Sequence, residues 1–335
     1  QYTLSNITGQ SSTNTITFQS LTGDSADVIL SYAMPSSSAA HIFLLDGASY
    51  FNFKNLTLKS TSIYYSRLIY MYNFANHIII DGCNFIGVET SNSGSYYSPI
   101  YANQSNQITI QNSSFEQGSY AIMIEGTSSN NCNGIKILGN RIRNFYIVGA
   151  YLSYVGDSLE VVGNNIMDRV NSYSGQGIYK NYGEGKATIS HNNIKITSST
   201  PFAGIQLYYH NYPANSSSNA ISINNNFIEV NTTSTNVVYG IYSYSSYYTN
   251  FYYNTIKING GATSSAALYC NYSYNSNIKN NIFDVGNQYA FRRYNGTISS
   301  SDYNNFYSTA TYPIYYNTNY TLASYKSYTS LDAHS

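Results

Sequence analysis

The chain has 335 residues with 15 basic and 15 acidic side chains, a formal net charge of +0. Only 9% of residues are charged, which removes the electrostatic footprint of a nucleic-acid binder and leaves no basic patch for an anionic membrane. No stretch approaches the roughly 18 consecutive apolar residues that a spanning helix needs, and 40 Tyr with no Trp, among abundant Asn, Ser and Thr, suit a polar extracellular surface.

The first 50 residues read as short strands. Gln1 opens directly on Tyr2-Thr3-Leu4 without a basic or apolar leader, so a processed or partial chain is expected. Thr15-Ile16-Thr17-Phe18 alternates, Val28-Ile29-Leu30 is a buried run, and His41-Ile42-Phe43-Leu44-Leu45 leads to a turn at Asp46-Gly47. From Phe53 onward one frame recurs: an apolar anchor, Asn three positions later, an apolar residue five positions later. It holds at Ile137/Asn140/Ile142, Val161/Asn164/Ile166, Ile189/Asn192/Ile194, Ile223/Asn226/Ile228, Phe251/Asn254/Ile256 and Ile278/Asn281/Phe283. With Asn replaced it also holds at Phe53/Leu58, Ile80/Phe85, Ile110/Phe115 and Ile298/Tyr303. A period of this length marks a solenoid, whose units share one core because none can bury its apolar face alone. A second strand precedes the frame in several coils, as at Gly177-Ile178-Tyr179, Gly240-Ile241-Tyr242 and Ala267-Leu268-Tyr269. Strand–turn–strand order without helical periodicity predicts an all-β parallel β-helix, about ten or more coils and roughly 50 Å long at about 4.8 Å per coil. Residues 1–50 are expected to form N-terminal coils, 51–308 the regular coils, and 309–335 a tail packing on or leading out of the rod.

Stacking in register sets equivalent residues opposite one another. Six places after the anchors, Glu116 meets Arg143, and Lys195, Glu229, Lys257 and Asp284 alternate in sign, which predicts a surface charge ladder. Asn140, Asn164, Asn192, Asn226, Asn254 and Asn281 read as turn formers that tolerate left-handed backbone and whose amides stack as a ladder. Cys83, Cys132 and Cys270 are odd in number and scattered, which predicts buried thiols, and the five His show no metal spacing. No cofactor or metal is expected.

Tyrosines are the binding candidates. Tyr208, Tyr209 and Tyr212 fall on the longest inferred loop, which runs to Pro213; Tyr242, Tyr244, Tyr247 and Tyr248 follow one coil later, and Tyr269, Tyr272 and Tyr274 one after that. Such aromatic faces stack on sugar rings, pack against a partner rod, or simply stabilise the sheet surface. Glycoside hydrolysis needs two carboxylates about 5–10 Å apart, and neither column beside the anchors holds two acids. Lys136 and Glu160 read as a cross-coil pair instead.

Three stretches carry a family resemblance: Ser11-Ser12-Thr13-Asn14-Thr15-Ile16-Thr17-Phe18-Gln19-Ser20 with Thr22-Gly23-Asp24-Ser25; Leu44-Leu45-Asp46-Gly47-Ala48-Ser49-Tyr50 with Phe53-Lys54-Asn55-Leu56-Thr57; and Ser301-Asp302-Tyr303-Asn304-Asn305-Phe306-Tyr307 through Leu331-Asp332-Ala333-His334-Ser335. Together they resemble the right-handed parallel β-helix domains of large secreted surface proteins of Bacteroidota. The resemblance implies type IX secretion, a gliding-adhesin-like role and a longer parent polypeptide, although no sorting domain is present. Asp24-Ser25-Ala26 and Asp157-Ser158-Leu159 resemble the O-glycosylation motif of that phylum, which would place sugar on Ser25 and Ser158. The expected function is a non-catalytic extracellular structural or adhesive module of a cell-surface or filament protein. Its partners would be surface glycans or neighbouring copies of the same protein, with no nucleic acid and no membrane insertion. A glycan-binding module using the Tyr-rich coils is one alternative, and a polysaccharide lyase or glycoside hydrolase is another.

Overall fold

Three short apolar runs recur in every regular coil, and each becomes a strand paired in parallel with its equivalents in the coils before and after. The computed structural model describes residues 1–170, 172–212 and 216–335. The first sheet stacks Phe43–Asp46, Ile69–Tyr72, Ile100–Asn103, Tyr120–Glu125, Val148–Ser153, Gln176–Asn181, Ala203–Tyr208 and Tyr239–Tyr244, followed by the opening parts of Ala266–Lys279 and Tyr289–Asp302. The second sheet runs from Ile16–Gln19 to Thr249–Tyr252 and the closing parts of the same two long strands. The third has 11 strands, from Ile29–Tyr32 to Asn305–Tyr307. The chain is thus a parallel β-helix with three faces, one more than the anchor frame and its preceding strand disclosed.

The anchors form one inward column, with Ile80, Ile110, Ile137, Val161, Ile189, Ile223, Phe251 and Ile278 in successive register and all buried. Each such side chain contributes about 1.5–3 kcal/mol by leaving water. The column ends at Ser301, which pairs with Ile278. The last frame is therefore Ser301/Asn304/Phe306 and not Ile298/Tyr303; a buried serine at the anchor hid it from an apolar search. The run Val28-Ile29-Leu30 is only partly buried: Val28 and Leu30 pack against the core, while Ile29 points outward from the first coil at 59% exposure.

The turn between the second and third sheets holds the asparagine ladder. Left-handed backbone falls not on the ladder asparagines but on the residue before each: Gly139, Gly163, His191, Asn225, Tyr253 and Asn280, at φ between 53° and 70°. The asparagines themselves are 1–2% exposed. Asn164 Oδ1 accepts both the backbone N–H and the Nδ2 of Asn140, at 2.9 and 3.0 Å, while Asn164 Nδ2 donates to Ile137 O and to Asn192 Oδ1. The pattern repeats through Asn192, Asn226, Asn254 and Asn281 to Asn304, so the buried amides satisfy one another along the rod. At the N-terminal end Ser113 and Cys83 occupy the same column, with Cys83 N–H donating to Ser113 Oγ at 3.0 Å. Cys83, Cys132 and Cys270 are all buried thiols, and burial pushes them up to about 11, 11 and 12.

After the last coil, Ile314–Tyr316 and Asn319–Tyr320 pair antiparallel, and a helix spans Leu322–Thr329. Thr321 caps it, its Oγ1 accepting Ser324 N–H at 3.2 Å. Tyr325 is fully buried and packs its ring near those of Phe291, Tyr316 and Tyr320. Asp332 then takes the position of a further ladder residue, accepting from Asn304 Nδ2 at 2.8 Å and Ser301 Oγ at 2.6 Å.

Candidate functional site: a tyrosine-lined face

Along each strand of the first sheet, the residue after the first inward apolar position points outward. In register these are Leu44, Tyr70, Tyr101, Met123, Tyr151, Tyr179, Gln206, Tyr242, Tyr269, Arg292 and Tyr315. Consecutive rings touch: Tyr70 stacks on Tyr101 at 5.2 Å, Tyr151 meets Tyr179 edge-on at 5.3 Å, and Tyr242 lies 5.3 Å from Tyr269. Two residues further on, Asn103, Glu125, Ser153, Asn181, Tyr208, Tyr244, Asn271 and Tyr294 form a parallel column of hydrogen-bonding groups. The face thus presents apolar ring surface beside a line of polar groups.

The turn that follows adds a third row. Tyr154, Tyr182 and Tyr209 adopt positive φ and stack nearly flat, with centroids 4.9 and 5.0 Å apart. Tyr154, Tyr182 and Tyr212 border a cavity of about 270 Å³ with Ser128, Asn131 and Glu184.

Electrostatics along the face are sparse. Burial raises the Glu125 carboxyl, against the opposing effect of a hydrogen bond with Tyr101. Burial likewise raises Tyr101, Tyr179 and Tyr242, so they present neutral hydroxyls. At one end Arg67, 5% exposed, lies over the rings of Tyr70, Tyr96 and Tyr101 at 4.3–4.9 Å and donates to Ser95. Near the other, Arg292 lies over Tyr269 at 4.5 Å and Tyr315 at 5.5 Å.

The tyrosines singled out from the sequence divide into groups. Tyr208 and Tyr244 stack at 4.7 Å on the polar column, and Tyr242 lies on the aromatic column. Tyr209 belongs to the turn stack; Tyr212, 44% exposed, bridges Tyr209 and Tyr247, which stacks on Tyr274 at 5.2 Å. Tyr272, 38% exposed, meets Tyr244 and Tyr294 edge-on. Two depart from the expectation of an open ring. Tyr269 is only 7% exposed, covered by Tyr239, Tyr242 and Arg292. Tyr248 stands at the entry to the second sheet, where its carbonyl accepts Ile221 N–H, apart from the aromatic cluster. Pro213, expected at the tip of the loop, lies outside the described residues.

Tyr101, Tyr151 and Tyr179 were missed because each is the lone tyrosine of its strand, and Tyr70 because its strand, shared with Tyr72, lies far from the tyrosine-crowded coils. The signal was present in the repeated apolar–Tyr step of Ile69-Tyr70, Ile100-Tyr101, Ala150-Tyr151 and Ile178-Tyr179.

Of the charge ladder on the third sheet, Lys195 and Glu229 close to 3.3 Å. Glu116 and Arg143 are in register, yet Glu116 instead accepts from Asn144 Nδ2, and among the described residues Lys257 and Asp284 form no ion pair. Opposite register brings backbones together, and long side chains still choose their partners. Lys136 and Glu160 pair at 2.8 Å on the second sheet. Ser158 is exposed on a left-handed turn, whereas Ser25 Oγ accepts from Asn84 Nδ2 at 2.7 Å.

A family model described as a right handed beta helix region matches residues 41–221. Among solved structures, the chain is similar to the periplasmic alginate epimerase AlgG, with a TM-score of 0.60 and 12% identity over 93% of this chain and 74% of that one. It is also similar to the Dettilon tailspike protein, with a TM-score of 0.52 and 13% identity over 90% of this chain and 60% of that one. At such identities the likeness concerns the fold alone. A search of curated proteins by sequence found no match.

Proposed function

The chain belongs to the right-handed β-helix family, and on that premise we propose that it is a non-catalytic, extracellular adhesive module whose tyrosine-lined face holds an extended glycan. The observation that carries this reading is the outward column from Tyr70 to Tyr315, flanked by the polar column from Asn103 to Tyr294. Sugar rings offer C–H faces to aromatic surfaces and hydroxyls to amides, hydroxyls and carboxyls. Rings repeated at coil spacing favour a repeating polymer, and multivalent contact gives avidity to weak single sites.

One feature favours display over chemistry. Along the aromatic and polar strand columns Glu125 is the one carboxyl in the middle among the described residues, with Glu184 off these columns in the turn row; Asp46, the next within the columns, lies three coils away, roughly 14 Å at about 4.8 Å per coil. A retaining or inverting glycosidase pair needs about 5–10 Å. The parent protein, on this proposal, is a secreted surface protein of the Bacteroidota kind, and peptide mapping of the native polypeptide for a C-terminal sorting domain checks that part.

Binding of the purified chain to immobilised and soluble oligosaccharides tests the central claim. Saturable binding is expected, weakened about tenfold by Tyr242→Ala or by Tyr208→Ala with Tyr244→Ala; because all three rings are half-buried, thermal unfolding of each variant checks that it is folded at the assay temperature. Binding that ignores these substitutions, or none to any glycan, would sink it.

A further inference from the structure

The last four strands of the third sheet carry an outward surface of a different kind from the tyrosine face. Phe227–Asn231, Thr255–Asn259, Ile282–Val285 and Asn305–Tyr307 pair in successive register. Their first outward column reads Phe227, Thr255, Ile282 and Asn305, and the second, two residues on, reads Glu229, Lys257, Asp284 and Tyr307. The turns before these strands add Tyr253 and Tyr303 at positive φ. Phe227, Tyr253, Ile282, Tyr303 and Tyr307 are between 44% and 62% exposed. On the first sheet consecutive rings cover one another. Here Phe227, Tyr253 and Tyr307 have no ring partner among the described residues, and Tyr303 has only His334. Five large side chains left in water on four adjacent coils make a patch of the kind that marks an interaction surface.

Charge runs through the same patch. Lys195 and Glu229 close to 3.3 Å and satisfy each other. Lys257 and Asp284 are in register on the next two coils, yet neither forms an ion pair or a side-chain hydrogen bond among the described residues. The column therefore alternates in sign and ends in an unpaired cation beside an unpaired carboxylate. That alternation dictates how a second copy of the surface can lie on it. Parallel rods in register would set Lys257 against Lys257 and Asp284 against Asp284, and like charges repel. A two-fold axis along the strand direction, passing between the coils of Lys257 and Asp284, turns the rods antiparallel and keeps each column facing itself. Lys257 then meets the second copy's Asp284, and Asp284 meets its Lys257. The next coils out bring Glu229 against the Tyr307 hydroxyl, a donor for that carboxylate. In the first column Thr255 faces Ile282, and Phe227 faces Asn305. The axis thus sits at the middle of the four-coil patch, and no like charges oppose each other across it.

We propose that this surface of the third sheet docks a second copy of the chain, antiparallel, with Lys257 and Asp284 exchanged across a two-fold axis. The patch spans four coils, roughly 15–20 Å along the rod at about 4.8 Å per coil. The contact therefore falls at the small end of specific interfaces and pairs the rods weakly. It uses a different face of the rod from the tyrosine columns, so paired rods keep those columns free. The inference goes beyond the glycan-binding reading and does not depend on it.

Analytical sedimentation of the intact chain, from about 5 µM to about 1 mM, reads the association, and a dimer with a Kd of about 10–100 µM is expected. Higher salt should weaken it. Lys257→Glu and Asp284→Lys each set like charges against one another in the homodimer and should weaken it at least about tenfold. Circular dichroism checks that each variant is folded. An equimolar mixture of the two variants should regain the original association within about twofold, because the mixed dimer restores opposite charges at both contacts. Tyr307→Ser, at an exposed ring, should weaken the dimer about fivefold and leave the thermal midpoint unchanged. A chain still monomeric at about 1 mM overturns the inference. So does a dimer indifferent to both charge reversals, or a mixture that fails to associate. A dimer lost in Tyr242→Ala and kept in the charge variants would place the contact on the tyrosine face, which overturns it too.

Discussion

Lys180 is the residue most out of keeping with its surroundings. It lies on the inward column of the first sheet, in register with Leu152 and Leu207, and is fully buried. Its Nζ donates to the carbonyls of Tyr182 at 2.7 Å and Gly183 at 3.3 Å, with no carboxylate to balance the charge among the described residues. Burial holds the ammonium down at about 7, from 10.5. Between about pH 7 and 10.5 the unfolded chain keeps a proton that the folded chain has released, so stability rises with pH across that window. Below about pH 7 both states are charged and the full cost is present. Neighbouring His210 is also fully buried; burial and then the Lys180 charge hold it well below 6.5, so acidification below that value weakens the fold further. Lys180→Met removes the charge and keeps the length. It should stabilise the chain at pH 6 by roughly 1–4 kcal/mol, the range seen when buried charges give way to apolar side chains, with the gain vanishing towards pH 10.5. Thermal unfolding across that pH range reads it, and a gain independent of pH would mean that packing and not charge is responsible.

At the scale of the element, the asparagine ladder behaves as one unit, because each amide accepts from the coil before and donates to the coil after. Removing one rung in the middle orphans several buried groups. In Asn192→Ala, Asn164 N–H and Nδ2 lose the acceptor they hold at 3.0 Å each, and Val161 O loses a donor at 2.9 Å. At about 1–3 kcal/mol for each unsatisfied buried group, partly relieved by relaxation, the cost should be roughly 3–5 kcal/mol. Asn192→Ser keeps an acceptor of the kind Ser113 supplies to Cys83 N–H, and should cost about half as much in urea unfolding. Equal costs for the two variants would mean that the ladder stabilises through shape and not through hydrogen bonds. The ladder shows how far the sequence could be read. A recurring Asn between two apolar residues betrays the turn, the period and the parallel stack, because all three follow from one-dimensional spacing. The division of labour inside the turn does not: a left-handed residue and a buried amide are adjacent, and Asn suits both. The tyrosine column was similarly half legible, visible where several tyrosines crowd one coil and invisible where register alone aligns them. The helix Leu322–Thr329 gave no sign, since its Ser, Thr and Tyr are poor helix formers and it is held by Tyr325 entering the core.

For the whole molecule, the two ends of the rod are built differently, and stability should follow that asymmetry. Each coil touches only its neighbours, so a solenoid unfolds from its weakest end and not everywhere at once. At the first coil, Tyr2–Leu4, Ile16–Gln19 and Ile29–Tyr32 each pair on one side only, and their apolar side chains are partly exposed, Tyr2 at 55% and Ile29 at 59%. At the last coil Tyr325 plugs the core, and Asp332 occupies the next ladder position, receiving Asn304 Nδ2 at 2.8 Å and Ser335 Oγ at 2.6 Å. Amide hydrogen exchange of the polypeptide Gln1–Ser335 should therefore run fastest in the strands of residues 2–32. It should slow through the middle coils and stay slow in Phe291–Arg293, which pairs on both sides, and at Asn304, whose backbone N–H donates to Ser335 Oγ, with protection at Asn304 lost when Asp332→Ala removes the acceptor that holds both Asn304 and Ser335. The gradient follows from which backbone groups have partners on both sides and which have one. Uniform protection from end to end would mean that the rod opens as a single cooperative unit, with coupling between coils strong enough to override the difference between a bare edge and a plugged one.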